Sequence, residues 1–154
     1  MRRRRRRGRF LGSRPSESGG GVAAIVLAAG LGTRMRSLRA KVLHCDGGKA
    51  MVVRVVGACL DAGLRPIVVV VGHQREKVEA VVRRAFPRAA LKFAWQREQK
   101  GTGHAVRVGL RRVGRGARRI VVTSGDTPLQ KAATLGALAT SFATLAFVTT
   151  RLAD

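Results

Sequence analysis

The chain has 154 residues, the size of one domain, and its 45% hydrophobic content is enough for a buried core at that length. Lys plus Arg number 31 against eight Asp plus Glu, and the net charge of +23 favours polyanionic partners: nucleic acid, nucleotides, phosphorylated metabolites or anionic membrane. No apolar stretch approaches the roughly 20 residues a membrane helix needs, and two cysteines exclude a disulfide scaffold and every multi-cysteine zinc module, leaving a reducing cytoplasm as the default compartment.

Residues 1–21 open the chain with Arg2–Arg7, Arg9 and Arg14 and close on a Ser/Pro/Gly-rich stretch. A block of like charge without hydrophobic periodicity cannot bury enough surface to offset its ordering entropy, so this segment is expected to be a disordered basic tail. It is no secretory signal, because only Phe10-Leu11 follows the arginines where an apolar run of about 7–15 residues is required. Three meanings stay open: a basic arm for nucleic acid, a transit-like peptide, or a stretch translated upstream of the true start. The tail does not create the charge imbalance. Outside residues 1–20, 23 basic residues still face seven acidic ones, a net +16.

From residue 22 onward strand and helix patterns alternate. Val22–Leu27 is wholly apolar and breaks at a glycine loop, the pattern of a buried strand. Val52, Val53, Val55, Val56, Cys59 and Leu60 fall at i, i+1, i+3, i+4, i+7 and i+8, one face of a helix. Valine propensity argues for a strand there, but the period and the Gly63 stop decide for a helix. Ile67–Val71 is the second strand, Gln74–Ala85 a helix, Leu91–Ala94 a weaker third strand, and Gly103–Val113 the next helix. Ile120–Thr123 is the fourth strand, followed by a helix over Gln130–Phe142 and a fifth strand over Leu145–Thr149. Such alternation predicts a Rossmann-like three-layer αβα sandwich, its mostly parallel sheet covered on both faces. Ligands of such sheets sit at the carboxyl ends of the strands, which here carry Gly30–Arg34, Gly72-His73 and Ser124–Asp126.

The loop after the first strand reads Gly30-Leu31-Gly32-Thr33-Arg34-Met35. Glycines admit a tight turn whose successive N–H groups form an anion nest. It is not the dinucleotide fingerprint, which needs glycine where Met35 stands. Nor is Gly48-Lys49 a P-loop end, since Leu43 and Ala50 occupy the required Gly and Ser/Thr positions. With Arg34 inside it and Lys41 shortly after, the loop suits a triphosphate. An ordinary turn carrying two surface cations fits the same spacing. Asp126, after the fourth strand, is placed to hold Mg²⁺ on the same sheet edge, or else to form an Asx turn or helix cap.

Four segments occur in order: Ile25-Val-Leu-Ala-Ala-Gly-Leu-Gly-Thr-Arg-Met35, Lys41-Val-Leu-His44, Gln96-Arg-Glu-Gln-Lys-Gly-Thr-Gly-His-Ala105 and Gly125-Asp126-Thr-Pro-Leu129. Together they resemble the nucleotidyltransferase domain of bacterial N-acetylglucosamine-1-phosphate uridylyltransferase, over about Ala23 to Asp154. The first segment is shared by many sugar-nucleotide pyrophosphorylases and related nucleotidyltransferases, and the Gln96–Ala105 segment is the more specific. The resemblance implies a nucleotide-diphospho-sugar transferase fold, UTP as donor, N-acetylglucosamine 1-phosphate or a related sugar 1-phosphate as acceptor, and Mg²⁺. It implies that Leu27, Ala28, Ala29 and Gly30 line base and ribose. Gly32 and Thr33 complete the loop. Arg34 and Lys41 hold the triphosphate as the catalytic cations. Gln96, Gly101 and Thr102 recognise uracil. Ser124 and Gly125 flank the nucleotide, and Asp126 coordinates the metal. Leu31 stands where the family has a cation, Ala40 and Ala50 where it has prolines, and Ser124 where it has an aromatic. In the family much of the sugar pocket and a second metal ligand come later in the sequence, so residues 22–154 are expected to form a partial domain, incomplete at its C-terminus and slight in turnover.

The implied chemistry needs no general base. The acceptor phosphate is already anionic near pH 7, its second pKa being about 6. His44, His73 and His104 lack metal-ligand spacing and read as loop-packing or hydrogen-bonding groups. Cys59 lies on the apolar helix face and reads as core. Trp95 reads either as a pocket edge or as a core aromatic. The competing reading, a basic nucleic-acid-binding protein, has little sequence support: there is no Tyr, aromatics are few, and no helix-turn-helix or RNA-binding motif stands out. A non-catalytic nucleotide-binding fragment is the third possibility.

Overall fold

The computed structural model describes residues 21–32 and 37–149. Residues 1–20 of the basic tail, residues 33–36 with Thr33 and Arg34, and the last five residues lie outside that set, whereas Gly21, read as the end of the tail, opens the first strand. The described residues form six strands and four helices: β1 Gly21–Ala28, β2 Cys45–Asp46, β3 Lys49–Ala50, α1 Met51–Asp61, β4 Ile67–Val71, α2 Arg75–Ala85, β5 Leu91–Trp95, α3 Gly101–Val113, β6 Ala117–Ser124 and α4 Ala132–Thr140. A short 3₁₀ turn spans Lys41–Leu43.

The main sheet runs β5-β4-β1-β6 and every pairing in it is parallel. Successive strands step outward from β1 through β4 to β5. The chain then crosses back, and β6 pairs on the other side of β1. That reversal makes β1 the switch point of the sheet, where ligands of open α/β folds bind. β2 and β3 form a separate two-stranded antiparallel hairpin.

Both faces of β1 and β4 are buried, and side-chain alternation divides their residues between two cores. Ala24, Val26 and Ala28 of β1 join Ile67, Val69 and Val71 of β4 in a large cluster with α1, α2 and Leu135 of α4. Ala23, Ile25, Val68 and Val70 point the other way, toward Ala105 and Val113 of α3. Burial on both faces is why these strands are unbroken apolar runs. Each fully buried Val or Ile contributes about 1.5–3 kcal/mol. α1 is helical although it carries four valines, because Val52, Val55, Val56 and Cys59 share one buried face. Burial of the amphipathic stripe outweighs β propensity there.

Three expectations need correction. No strand forms over Leu145–Thr149; that segment is irregular and exposed, and nothing in the sheet pairs with it. The last helix ends at Thr140, with Ser141 as its cap, so Phe142 is outside it and exposed. Finally, the sheet is not covered on both faces throughout. α3 packs on β1, β4 and β5, leaving Ile120 and Val122 of β6 at 37% and 44% exposure.

Candidate functional site

A cavity of about 560 Å³ opens at the carboxyl ends of the strands, beside β1. Its first wall follows β1, with Leu27, Ala29, Gly30 and Gly32. Gly32 has φ +62°, and a Cβ there would stand 3.0 Å from the Lys41 Cβ. Glycine therefore lets the loop pass tightly against the start of the 3₁₀ turn that carries Lys41. The second wall follows β5: Gln96 anchors its own N–H on Val71 O at 2.8 Å, and Gly101 and Thr102 begin α3. The third follows β6, with Ser124 and Asp126.

The charged centre joins the first and third walls. Lys41 Nζ lies 2.6 Å from Asp126 Oδ2, and Ser124 Oγ donates to Asp126 Oδ1. Thr127 Oγ1 donates to Ser124 O at 2.7 Å, closing the turn that carries the carboxylate. Partial burial works to raise the Asp126 pKa, but hydrogen bonds from Lys41 and Ser124 and the Lys41 charge outweigh it and hold the carboxyl below its ordinary value. The pair is half-exposed, so solvent screens it and it contributes little to fold stability.

Ten of the residues singled out from sequence line this cavity: Leu27, Ala29, Gly30, Gly32, Lys41, Gln96, Gly101, Thr102, Ser124 and Asp126. Two do not. Ala28 turns into the opposite core, as strand alternation requires. Gly125 is buried beneath the wall, its N–H donating to Leu27 O at 2.8 Å and tying β6 to β1. Thr33 and Arg34 lie outside the described residues. Trp95 is neither core nor pocket lining: it is 46% exposed, with the Arg75 and Arg97 guanidinium carbons 4.8 and 4.6 Å from its ring centroid.

Sequence reasoning missed Val42, Ala105 and Gln99 as lining residues. Gln99 Nε2 donates to Ala29 O at 2.5 Å, linking the second wall to the first across 70 residues. It also missed Gln74, which precedes α2 in the left-handed region at φ 52° and ψ 39°. Its side chain accepts from Ala40 N–H at 3.2 Å and donates to Leu38 O. Those contacts fix the segment leading into Lys41, and they account for a strained backbone that few non-glycine residues adopt. The left-handed turn could not be read from the sequence, where Gln74 stands two positions after the strand-end Gly72 with no glycine at the turn itself.

Among the described residues no group of three or more His, Cys, Asp or Glu side chains converges as a metal cage. Among the residues lining the cavity, Asp126 is the one carboxylate. That donor set suits a cation that takes most of its ligands from substrate phosphates and water, as Mg²⁺ does. No helix of the described residues is long and apolar enough to cross a membrane.

Known proteins share both the sequence and the fold of this chain. Bifunctional protein GlmU of Anaeromyxobacter sp. (strain Fw109-5) is 50% identical over 135 residues, which cover 86% of this chain and 28% of that protein. The chain thus spans little more than a quarter of the relative's length. A nucleotidyl transferase from Methanothermobacter thermautotroptrophicus superposes with a TM-score of 0.66 at 27% identity, covering 79% of this chain and 57% of that one. A protein of Mycobacterium tuberculosis H37Rv, solved in complex with manganese, shares the fold with a TM-score of 0.60 at 24% identity, over 77% and 57% of the two chains. Residues 24–152 match the model of the MobA-like NTP transferase domain, and the chain belongs to that family.

Proposed function

We propose that this chain is the nucleotide-binding front of a nucleotidyltransferase, transferring UMP from UTP to a sugar 1-phosphate, N-acetylglucosamine 1-phosphate by likeness to its relatives. The Lys41–Asp126 contact, set across a cavity beside the switch-point strand, carries this reading. It places one cation and one metal-competent carboxylate together, with a glycine turn on one side and the free N–H groups of a helix start on the other. With a metal–triphosphate bound, Lys41 would turn to phosphate oxygens and Asp126 would hold the cation.

In the transfer, an oxygen of the sugar phosphate bonds to the α-phosphorus of UTP and the bond to the β-phosphate bridging oxygen breaks. Pyrophosphate leaves in line with that oxygen. The attacking oxygen is already anionic, so no protein base is needed. Rate enhancement comes from holding two anions together and offsetting the charge that accumulates. Lys41 meets phosphate charge at the mouth, with Arg34 assigned the same task by its place in the motif. The α3 start and Gln96 face the base. Mg²⁺ held by Asp126 would supply further charge neutralisation on the phosphates.

Titration calorimetry tests the reading. UTP with Mg²⁺ should bind in preference to ATP, and Asp126→Ala should weaken it about tenfold or more, the size of one lost charge-assisted contact. No nucleotide binding by a folded sample would overturn it. Pyrophosphate release from UTP and N-acetylglucosamine 1-phosphate is expected to be slight or absent. The nucleic-acid-binding alternative rests on net charge alone. Deleting residues 1–21 and repeating an oligonucleotide titration at two salt concentrations isolates the contribution of the tail.

A further inference from the structure

Gln96 is 4% exposed, and its side-chain nitrogen has two neighbours. Nε2 stands 3.2 Å from Gly101 O and 3.1 Å from His104 Nδ1. A backbone carbonyl only accepts, so the amide end facing it is the NH₂ group and not the oxygen. One of its hydrogens goes to Gly101 O and the other to His104 Nδ1. The imidazole must accept at that nitrogen, which leaves Nδ1 bare and the proton on Nε2. The amide is planar, so Oε1 points away from both partners. No described residue donates to it, and Gln96 lines the cavity. The cavity is therefore offered an acceptor.

Donors stand beside that acceptor. α3 begins at Gly101 without a side-chain cap, so the N–H groups of its first turn have no partner within the helix. An acceptor next to donors matches the edge of a base whose ring N–H adjoins a carbonyl, the imide of uracil. It opposes cytosine held in the same register, which would set a ring-nitrogen acceptor against Oε1 and an amino donor against the helix N–H groups.

We propose that His104, which does not line the cavity, is a positioning residue for base selectivity: its bare Nδ1 holds the Gln96 amide in the one orientation that reads an imide pyrimidine nucleotide over an aminopyrimidine one. The inference rests on the nucleotide-binding reading above. It goes further in assigning selectivity to a contact outside the pocket and in fixing the tautomer of a histidine.

Two measurements on the full chain test it. Long-range ¹H–¹⁵N spectra of the imidazoles, without nucleotide, should show His104 protonated at Nε2 and bare at Nδ1; a proton on Nδ1 overturns the proposal. Calorimetric titration with UTP and with CTP then reads selectivity. His104→Leu removes one of the two anchors and should lower the UTP-to-CTP affinity ratio about three- to tenfold, the worth of one hydrogen bond. His104→Asn returns an acceptor near the position of Nδ1 and should restore the ratio. An unchanged ratio in folded His104→Leu that still binds UTP overturns this inference alone. Absence of UTP binding by the unaltered chain overturns the proposed function and the selectivity claim with it.

Discussion

Two regions of one sheet behave differently. β1 and β4 are covered on both faces, and their valines, isoleucines and alanines are almost wholly buried. β6 pairs with β1 along its whole length, yet it buries only one face. Val121 and Thr123 turn toward α4, whereas Ile120 and Val122 share the α3 face with Ala23 and Ile25 but lie beyond the helix. Apolar sequence is thus necessary for core but does not create it: a strand residue becomes core only when another element is laid over it. The same strand supplies Ser124 and leads to Asp126, so the site is built across the join between the well-packed half and the open one.

The largest test of this contrast lies under α3. Gly109 lets the helix settle onto the sheet, and a Cβ there would stand 2.8 Å from Ile25 Cγ2 and 3.0 Å from Val70 Cγ2. Gly109→Val should cost about 1–3 kcal/mol or more by overpacking, read as a lowered urea midpoint. An unchanged midpoint would mean that α3 is not seated as described. Next comes Val70→Ala, which removes buried methyl groups from a strand enclosed on both sides. It should cost about 2 kcal/mol in the same measurement.

Cys59 and Cys45 repeat the contrast in chemistry. Cys59 is buried in α1 and Cys45 is exposed on β2. Burial pushes the Cys59 thiol up to about 12. In the unfolded chain this thiol ionises near 9 while in the folded chain it keeps its proton, so stability falls as pH rises from about 9 toward 12. Asp126 has the opposite sign. Its folded value is depressed, so its stabilisation is complete above the ordinary carboxylate value and is lost as pH falls through the folded one. Thiol titration under native conditions should count one reactive cysteine, and a second only in denaturant. Two fast thiols without denaturant would show that α1 is not packed.

The smallest expected effect is the most diagnostic. Val122→Ala makes the same chemical change as Val70→Ala, two strands away in the same sheet, yet it should alter stability by no more than about 0.5 kcal/mol. Equal losses at the two positions would mean that some element covers β6, and the contrast would dissolve.

Much of the site was legible because strand ends and glycines are written locally. The run Val22–Leu27, the break at Gly30 and the pair Gly125-Asp126 together placed the cavity on the right edge of the sheet. α1 could be read despite its valines because its spacing is helical over two turns. Leu145–Thr149 misled for the converse reason: an apolar run of strand length carries no information about whether a partner edge is within reach. Ala28 does not line the cavity although its motif segment is contiguous, because a strand alternates its faces.

The amino-acid order by itself determined the alternation of strand and helix, the basic character of the body and the edge on which chemistry is gathered, because periodicity, glycine and charge act over a few residues at a time. The three-dimensional packing alone decided that Lys41 meets Asp126, that Gln74 clasps Leu38 and Ala40, that Gln99 bridges to Ala29 and that His104 restrains Gln96. Lys41–Asp126, Gln74–Ala40 and Gln99–Ala29 join residues 34 to 85 positions apart, where no local pattern extends. His104 lies only eight positions from Gln96, but the pairing depends on the angle at which α3 leaves β5, and that angle is set by the helix seating itself on the sheet.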